Sequence, residues 1–302
     1  MLQSLLCFLL AFQSGEAEVD FLVIEIGGKG PKALVISHNF LLIDSKTESA
    51  SPLKGMAHGL MTEPAMQDCL KATTTLLKEL KESLRKKDRK FELLMVASSS
   101  VSAAKNFASF KNNLEKELNV MLDSVTADEE AGFIFSTIVP QRMRHDAMAL
   151  DIGSGNARVA WLDEGLLKQI TIPIGTVVAT NMGSTTKDLA LEIQGLLPPS
   201  PNVKGKQIHL YGGIAWALKS FDQNEKSIMN LEKIKALDLK ANLNPDVAKV
   251  FNYENLYAGR ILLLELLKWT GSDLCAVEFV NQPGSWVNEW LKKRKIPKRL
   301  EK

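Results

Sequence analysis

Glu25-Ile26-Gly27-Gly28-Lys29-Gly30-Pro31-Lys32-Ala33-Leu34-Val35-Ile36 and Asp151-Ile152-Gly153-Ser154-Gly155-Asn156-Ala157-Arg158-Val159-Ala160-Trp161-Leu162 are two versions of one pattern, one in each half of the chain. Each starts with an acid at the end of an apolar run. Ile-Gly follows, then a glycine-containing turn, then a base seven residues after the acid, then a second apolar run. One such unit per half points to duplicated halves. Glycine lets backbone N–H groups turn inward and approach an anion closely. A carboxylate cannot hold phosphate, but it can hold a hydrated Mg²⁺ that does. The base can pair with a phosphate oxygen or with an acid. Glu25 and Asp151 are therefore candidate metal ligands. Gly27, Gly28, Lys32, Gly153, Ser154, Gly155, Asn156 and Arg158 are candidate phosphate holders. The alternative is a pair of ordinary glycine-rich hairpins, and the matching of the two units favours function.

Outward from these units the chain alternates strand and helix signals. The runs at 21–24, 33–36 and 40–43 read as an opening β-meander. Met66, Cys69, Leu70, Leu76, Leu77, Leu80 and Leu84 mark an amphipathic helix. Phe91–Ala97 reads as a strand and Ala103–Leu118 as a helix. The second half restarts with strands at 147–150, 159–162 and 166–172, the last two joined by Asp163-Glu164-Gly165, a hairpin signal. A helix over 186–197, a strand over 207–211, a helix over 214–220, a polar insertion over 222–250, a strongly apolar helix over 256–269, a strand over 274–280 and a closing helix over 286–293 complete the reading. Gly212-Gly213 opens a helix after a strand, a further candidate phosphate site. Repeated strand-to-helix units predict parallel crossovers and sheets covered by helices.

At 302 residues the chain suits two domains of about 130–150 residues each. A net charge of +2 gives no reason to expect a nucleic-acid binder. The basic stretch Lys292–Arg299 reads as a solvated helix end. Leu5–Phe12 is an apolar run too short to span a bilayer, followed by small residues at Gly15 and Ala17. It predicts a signal peptide over 1–17, export to the periplasm or medium, and no stable membrane insertion after cleavage; a cytoplasmic location is the alternative. The cysteines Cys7, Cys69 and Cys275 do not make a disulfide framework.

Taken in order over residues 20–292, these motifs resemble the exopolyphosphatase / guanosine pentaphosphate phosphohydrolase (Ppx/GppA) family. Glu25–Ile36 and Asp151–Leu162 are similar to its two phosphate loops. Val96–Asn106 is similar to its strand-to-helix segment, and Thr126-Ala127-Asp128-Glu129-Glu130-Ala131-Gly132 to its Glu-Glu-Ala motif. Ile172-Pro173-Ile174-Gly175 and Gly212-Gly213 fall where the family has similar segments. The resemblance implies an α/β fold of two actin-like (ribonuclease H-like) domains, with mixed sheets flanked by helices and a cleft between them. The halves would be 18–140 and 141–302.

The resemblance also implies an enzyme that hydrolyses terminal phosphoanhydride bonds of inorganic polyphosphate or guanosine pentaphosphate. Mg²⁺ or another divalent cation would assist, and Glu130 would be the catalytic general base. The expected partners are polyphosphate or a phosphorylated guanine nucleotide, and a homodimer is left open. Three positions depart from the pattern. Glu25 replaces an Asp, Ser102 replaces a phosphate-binding Arg, and Arg158 replaces an acid. They motivate a second expectation, a catalytically impaired relative that binds without turnover. A sugar or acetate kinase on the same fold is a third, carried only by Gly212-Gly213.

Overall fold

The apolar runs that precede the two acids become the central strands of two sheets in a computed structural model, which describes residues 19–182, 186–201, 203, 205–221, 228–237, 239, 247, 253–272, 274–277 and 285–300. In the first half β1 (Asp20–Gly27), β2 (Gly30–Ile36) and β3 (Leu42–Thr47) form the meander, followed by α1 (Glu63–Lys86), β4 (Phe91–Ala97), α2 (Ser99–Ser102), α3 (Phe107–Leu118), β5 (Leu122–Ser124) and α4 (Ala127–Ile138). In the second, β6 (Ala147–Ile152), β7 (Ala157–Asp163) and β8 (Leu166–Ile172) repeat the meander. After them come α5 (Thr176–Met182), α6 (Thr186–Leu196), β9 (Gln207–Tyr211), α7 (Gly213–Phe221), β10 (Ile228–Asn230), α8 (Leu231–Ala236), α9 (Tyr253–Thr270), β11 (Leu274–Val277) and α10 (Ser285–Leu300).

The two sheets share a five-strand order, and the second adds β10, paired antiparallel with β11, at its edge. The first runs β3-β2-β1-β4-β5; the second, read from its far edge, runs β8-β7-β6-β9-β11-β10. In each, the meander strands pair antiparallel and the next strands join the first one parallel. This is the expected mixed α/β architecture in two halves. β1 and β6 are buried along their whole length. That is why both read as unbroken apolar runs rather than alternating ones.

Three apolar cores hold the halves. One packs α1 and α3 on the first sheet, with Cys69, Leu76, Phe110 and Leu114. Cys69 is a buried free thiol, and burial pushes it up to about 12. A second core packs α9, with Leu262, Leu263 and Leu266, on the second sheet. The third lies between the halves. There Ile134 and Phe135 of α4 and Trp286, Val287 and Trp290 of α10 meet Phe21 and Val23 of one sheet and Ala147 and Ala149 of the other.

Several elements differ from expectation. The third strand starts at Leu42, not Phe40, because Phe40 takes a left-handed φ of 61° in a turn closed by its N–H on Ser37 O at 2.8 Å. The helix expected from Ala103 starts at Phe107. Asn106 instead anchors the loop before α1, accepting from Met61 N and donating to Met61 O, both at 2.9 Å. β5 is too short for periodicity to show. The expected segment 1–17 and most of the insertion at 222–250 lie outside the described residues. Among the described residues no helix is long and apolar enough to cross a membrane.

Candidate active site

Each acid of the repeat faces its base across an antiparallel pair. The ladder sets Glu25 opposite Lys32 and Asp151 opposite Arg158. The spacing of seven is therefore a hairpin register, which brings the two side chains together on one face. The two turns are not the same length. The first pairs as far as Gly27 and Gly30, leaving Gly28 and Lys29 at the tip; the second stops at Ile152 and Ala157 and leaves residues 153–156.

The two loops meet. A Cβ on Gly28 would lie 2.4 Å from Ser154 Oγ, so a side chain at 28 would collide with the opposite loop. The carbonyls of Gly153 and Ser154 accept from Thr176 N (2.9 Å) and Val177 N (3.0 Å), which fix the second loop on α5. Gly153 N–H donates to Asn156 O at 2.9 Å. This corrects the expectation that Gly153 N–H holds phosphate, because the turn itself consumes that donor. Gly28, Ser154, Gly155 and Asn156 donate no backbone hydrogen bond to another described residue. Gly212, at φ +96°, sits under the second acid, where a Cβ would lie 2.7 Å from Asp151 Oδ1. Its role is close approach, and Gly213 begins α7 beside it.

Glu130 lies on the first turn of α4. Thr126 caps that helix, accepting from Glu129 N at 3.1 Å while Glu129 Oε2 accepts from Thr126 N at 3.1 Å. The capping box spends Glu129 on the helix end and turns Glu130 inward. Glu130 is 3% exposed, like Asp151, and Arg158 is 6% exposed. Glu130 Oε2 accepts from Ser99 N at 2.8 Å, capping α2, and pairs with Arg158 Nη1. The same guanidinium donates Nε (3.0 Å) and Nη2 (2.5 Å) to Asp151 Oδ2, and Nη1 to Ser99 Oγ (2.9 Å). Thus one arginine joins the second acid to the Glu-Glu-Ala segment. Sequence reasoning missed Ser99, whose only signal was its place in the serine run directly after β4.

The electrostatics follow. Burial lowers the Arg158 charge's stability, but Glu130 and Asp151 outweigh it and hold the guanidinium above its ordinary value. Burial pushes the Asp151 carboxyl up; Arg158 opposes this and Glu130 adds to it, with a net rise. Lys32 Nζ sits 3.2 and 3.4 Å from the Glu25 oxygens. Burial works against its charge, and Glu25, Tyr211 and Glu130 together carry it above the usual lysine value. At the tip, burial and then the Lys32 charge bring Lys29 down to about 7. The Ser102 hydroxyl is engaged by the backbone, donating to Ser99 O (3.3 Å) and Val125 O (3.1 Å).

A divalent cation does not fit this donor set. Asp151 Oδ2 and Glu130 Oε2 already serve the guanidinium, and Glu25 serves Lys32. Among the described residues no group of three or more His, Cys, Asp or Glu could hold a metal.

Residues 56–193 match the model of the Ppx/GppA phosphatase family. That span contains Ser99, Glu130, Asp151 and Arg158 and begins after the first loop. Among solved structures the chain is similar to the Aquifex aeolicus Ppx/GppA family member, with a TM-score of 0.60 and 15% identity over 92% of this chain and 99% of that one. It is also similar to an exopolyphosphatase from Cytophaga hutchinsonii, with a TM-score of 0.64 and 16% identity over 85% and 92%. An exopolyphosphatase-like protein gives 0.65 and 14% over 85% and 94%. No curated protein matches the sequence.

Proposed function

We propose that this chain, which has the fold of the Ppx/GppA phosphatases and matches their family model over residues 56–193, binds the terminal phosphates of inorganic polyphosphate or of a phosphorylated guanine nucleotide between its two loops and holds them without turnover. The carrying observation is Arg158, which engages Glu130 and Asp151 at once. To act as general base, Glu130 must take a proton from water, and that would dissolve a buried ion pair. Such pairs cost about 3–5 kcal/mol to break, which as an added barrier is roughly two to four powers of ten in rate. Binding keeps its means. The N–H groups of Gly28, Ser154, Gly155 and Asn156, all on the two loops, donate to no other described residue, and Lys29 and Lys32 supply positive charge on the first hairpin. Entry requires the loops to part, because Gly28 and Ser154 touch.

The hydrolase reading has its own support. Glu130 is buried beside the second loop on a firmly capped helix, a suitable place for a base acting on a bound phosphorus. Isothermal titration with tripolyphosphate, run beside a phosphate-release assay, separates the two. Binding with release no faster than Glu130→Gln is the expected result. Release that Glu130→Gln abolishes would replace the binding reading with the hydrolase one, and no binding at all would overturn both. Export after cleavage behind Ala17 is proposed with this function, and N-terminal sequencing of the mature protein checks it.

A further inference from the structure

We infer that Arg158 is the resident cation of the cleft: its guanidinium takes the place and charge of a divalent ion, so the site takes its phosphate ligand as a metal-free anion. The geometry argues this without reference to relatives. Two buried carboxylates, Asp151 from β6 and Glu130 from α4, turn an oxygen each toward one point. Like charges at such a point need a cation between them. In an oxygen-lined acidic site that cation is commonly a metal ion. Here the chain fills the point from its own β7. The guanidinium uses Nε and Nη2 on Asp151 Oδ2 and Nη1 on Glu130 and Ser99 Oγ. This directional fork cannot coexist with an ion in the same place. An arginine also cannot be lost to chelators or diluted away, and it stays charged throughout the physiological range.

Glu25, Glu130 and Asp151 face Lys32 and Arg158, and Lys29, close to half-charged near neutral pH, offsets about half of the one negative charge left over. An arriving phosphate therefore meets a site near neutrality. Its positive partners are the first-hairpin lysines and backbone N–H groups, not an ion that it brings along. This inference deepens the proposed function and rests on the cleft being the phosphate site.

Mn²⁺ titration followed by electron paramagnetic resonance tests the cation without any phosphate present. The wild type is expected to bind no Mn²⁺ that Asp151→Asn removes. Binding that survives Asp151→Asn lies outside the cleft and agrees with the inference. A single Mn²⁺ bound below millimolar and lost in Asp151→Asn overturns it. Arg158→Glu would turn the cation's place into a third carboxylate. Once shown folded by circular dichroism, it should bind Mn²⁺ at least about tenfold tighter than wild type, because oxygen sites gain affinity with ligand charge. It should also show a melting temperature that rises with Mn²⁺, which the wild type should not. A folded Arg158→Glu without that gain counts against the inference. Should this variant not fold, Arg158→Gln is read the same way. A separate arm measures tripolyphosphate binding in EDTA. Retained binding is expected, and a requirement for Mn²⁺ overturns the inference. Failure to bind with or without metal removes the phosphate reading, while the Mn²⁺ titration still judges the cation.

Discussion

Arg158 joins acceptors that the sequence holds far apart, and the cost of removing it can be set against the whole stability of a domain. Arg158→Ala would leave Asp151 and Glu130 buried, close together and without their cation. Breaking a buried pair in this way costs about 3–5 kcal/mol, a large share of a typical total near 5–15 kcal/mol. Urea denaturation should show that loss. Arg158→Lys should recover only part of it, because one ammonium cannot reproduce the fork on Asp151, Glu130 and Ser99 Oγ. Lys29 gives a second test at this scale. Its ammonium is held at about 7, down from 10.5. Between those values the folded chain binds fewer protons than the unfolded one, so stability rises with pH across that window and is lowest below 7. Lys29→Met removes the rise. Urea midpoints at about pH 6.5 and 9 should show the wild type gaining about 1–2 kcal/mol on the variant, less than the full shift because the side chain keeps some contact with water.

Among the elements, the hairpin turns show what was legible in the sequence and what was not. The acid-to-base spacing of seven was visible at once, and it is the ladder register of both hairpins. The unequal turn lengths were hidden, because the two segments align residue for residue although one pairs further toward its tip. The break before α3 was hidden too; periodicity continues through 103–106, and only the distant partner Met61 explains why Asn106 leaves the helix. Glu130 was legible only through a family pattern. By itself a Glu pair in a first helical turn reads as support for the helix dipole, and Glu129 does serve as a cap. Arg158 departs from the family pattern in the sequence itself, but its reach to Ser99 depends on how two sheets sit against one helix, which no local pattern carries. The turns also give a graded prediction. Gly30 has φ +138°, and a Cβ there would lie 2.2 Å from Glu48 O, a backbone atom. Gly165 has φ +79° with nothing within 4 Å. Gly165→Ala should therefore cost only the left-handed strain, about 1–2 kcal/mol. Gly30→Ala must also move a backbone segment and should cost clearly more. Thermal melts of the two variants side by side check the order.

At the scale of the molecule, the halves are joined by apolar burial as well as by Arg158. α10 leaves the second sheet and lays Trp286, Val287, Trp290 and Leu291 against α4 and strands of both sheets. The helix that carries Glu130 is thus clamped from behind by the end of the chain. Neither half can unfold without exposing this shared core, so one cooperative transition is expected by fluorescence and circular dichroism alike. Trp290 is 7% exposed, with the Arg294 guanidinium 5.5 Å over its ring. Trp290→Ala should cost about 3–5 kcal/mol, as large-to-small changes in a core do. Its further effect depends on where that energy acts. If α10 only stabilises the second half, the two probes shift together and tripolyphosphate binding is unchanged at temperatures where the variant is folded. If α10 holds α4 in place, the contact of Glu130 with Ser99 N loosens as well, and binding weakens before the main transition. The second outcome is expected, because Trp290 belongs to the core that contains α4 residues such as Phe135 and not to the core under α9. Titration calorimetry at a temperature where the variant's circular dichroism is still that of the folded protein distinguishes the two.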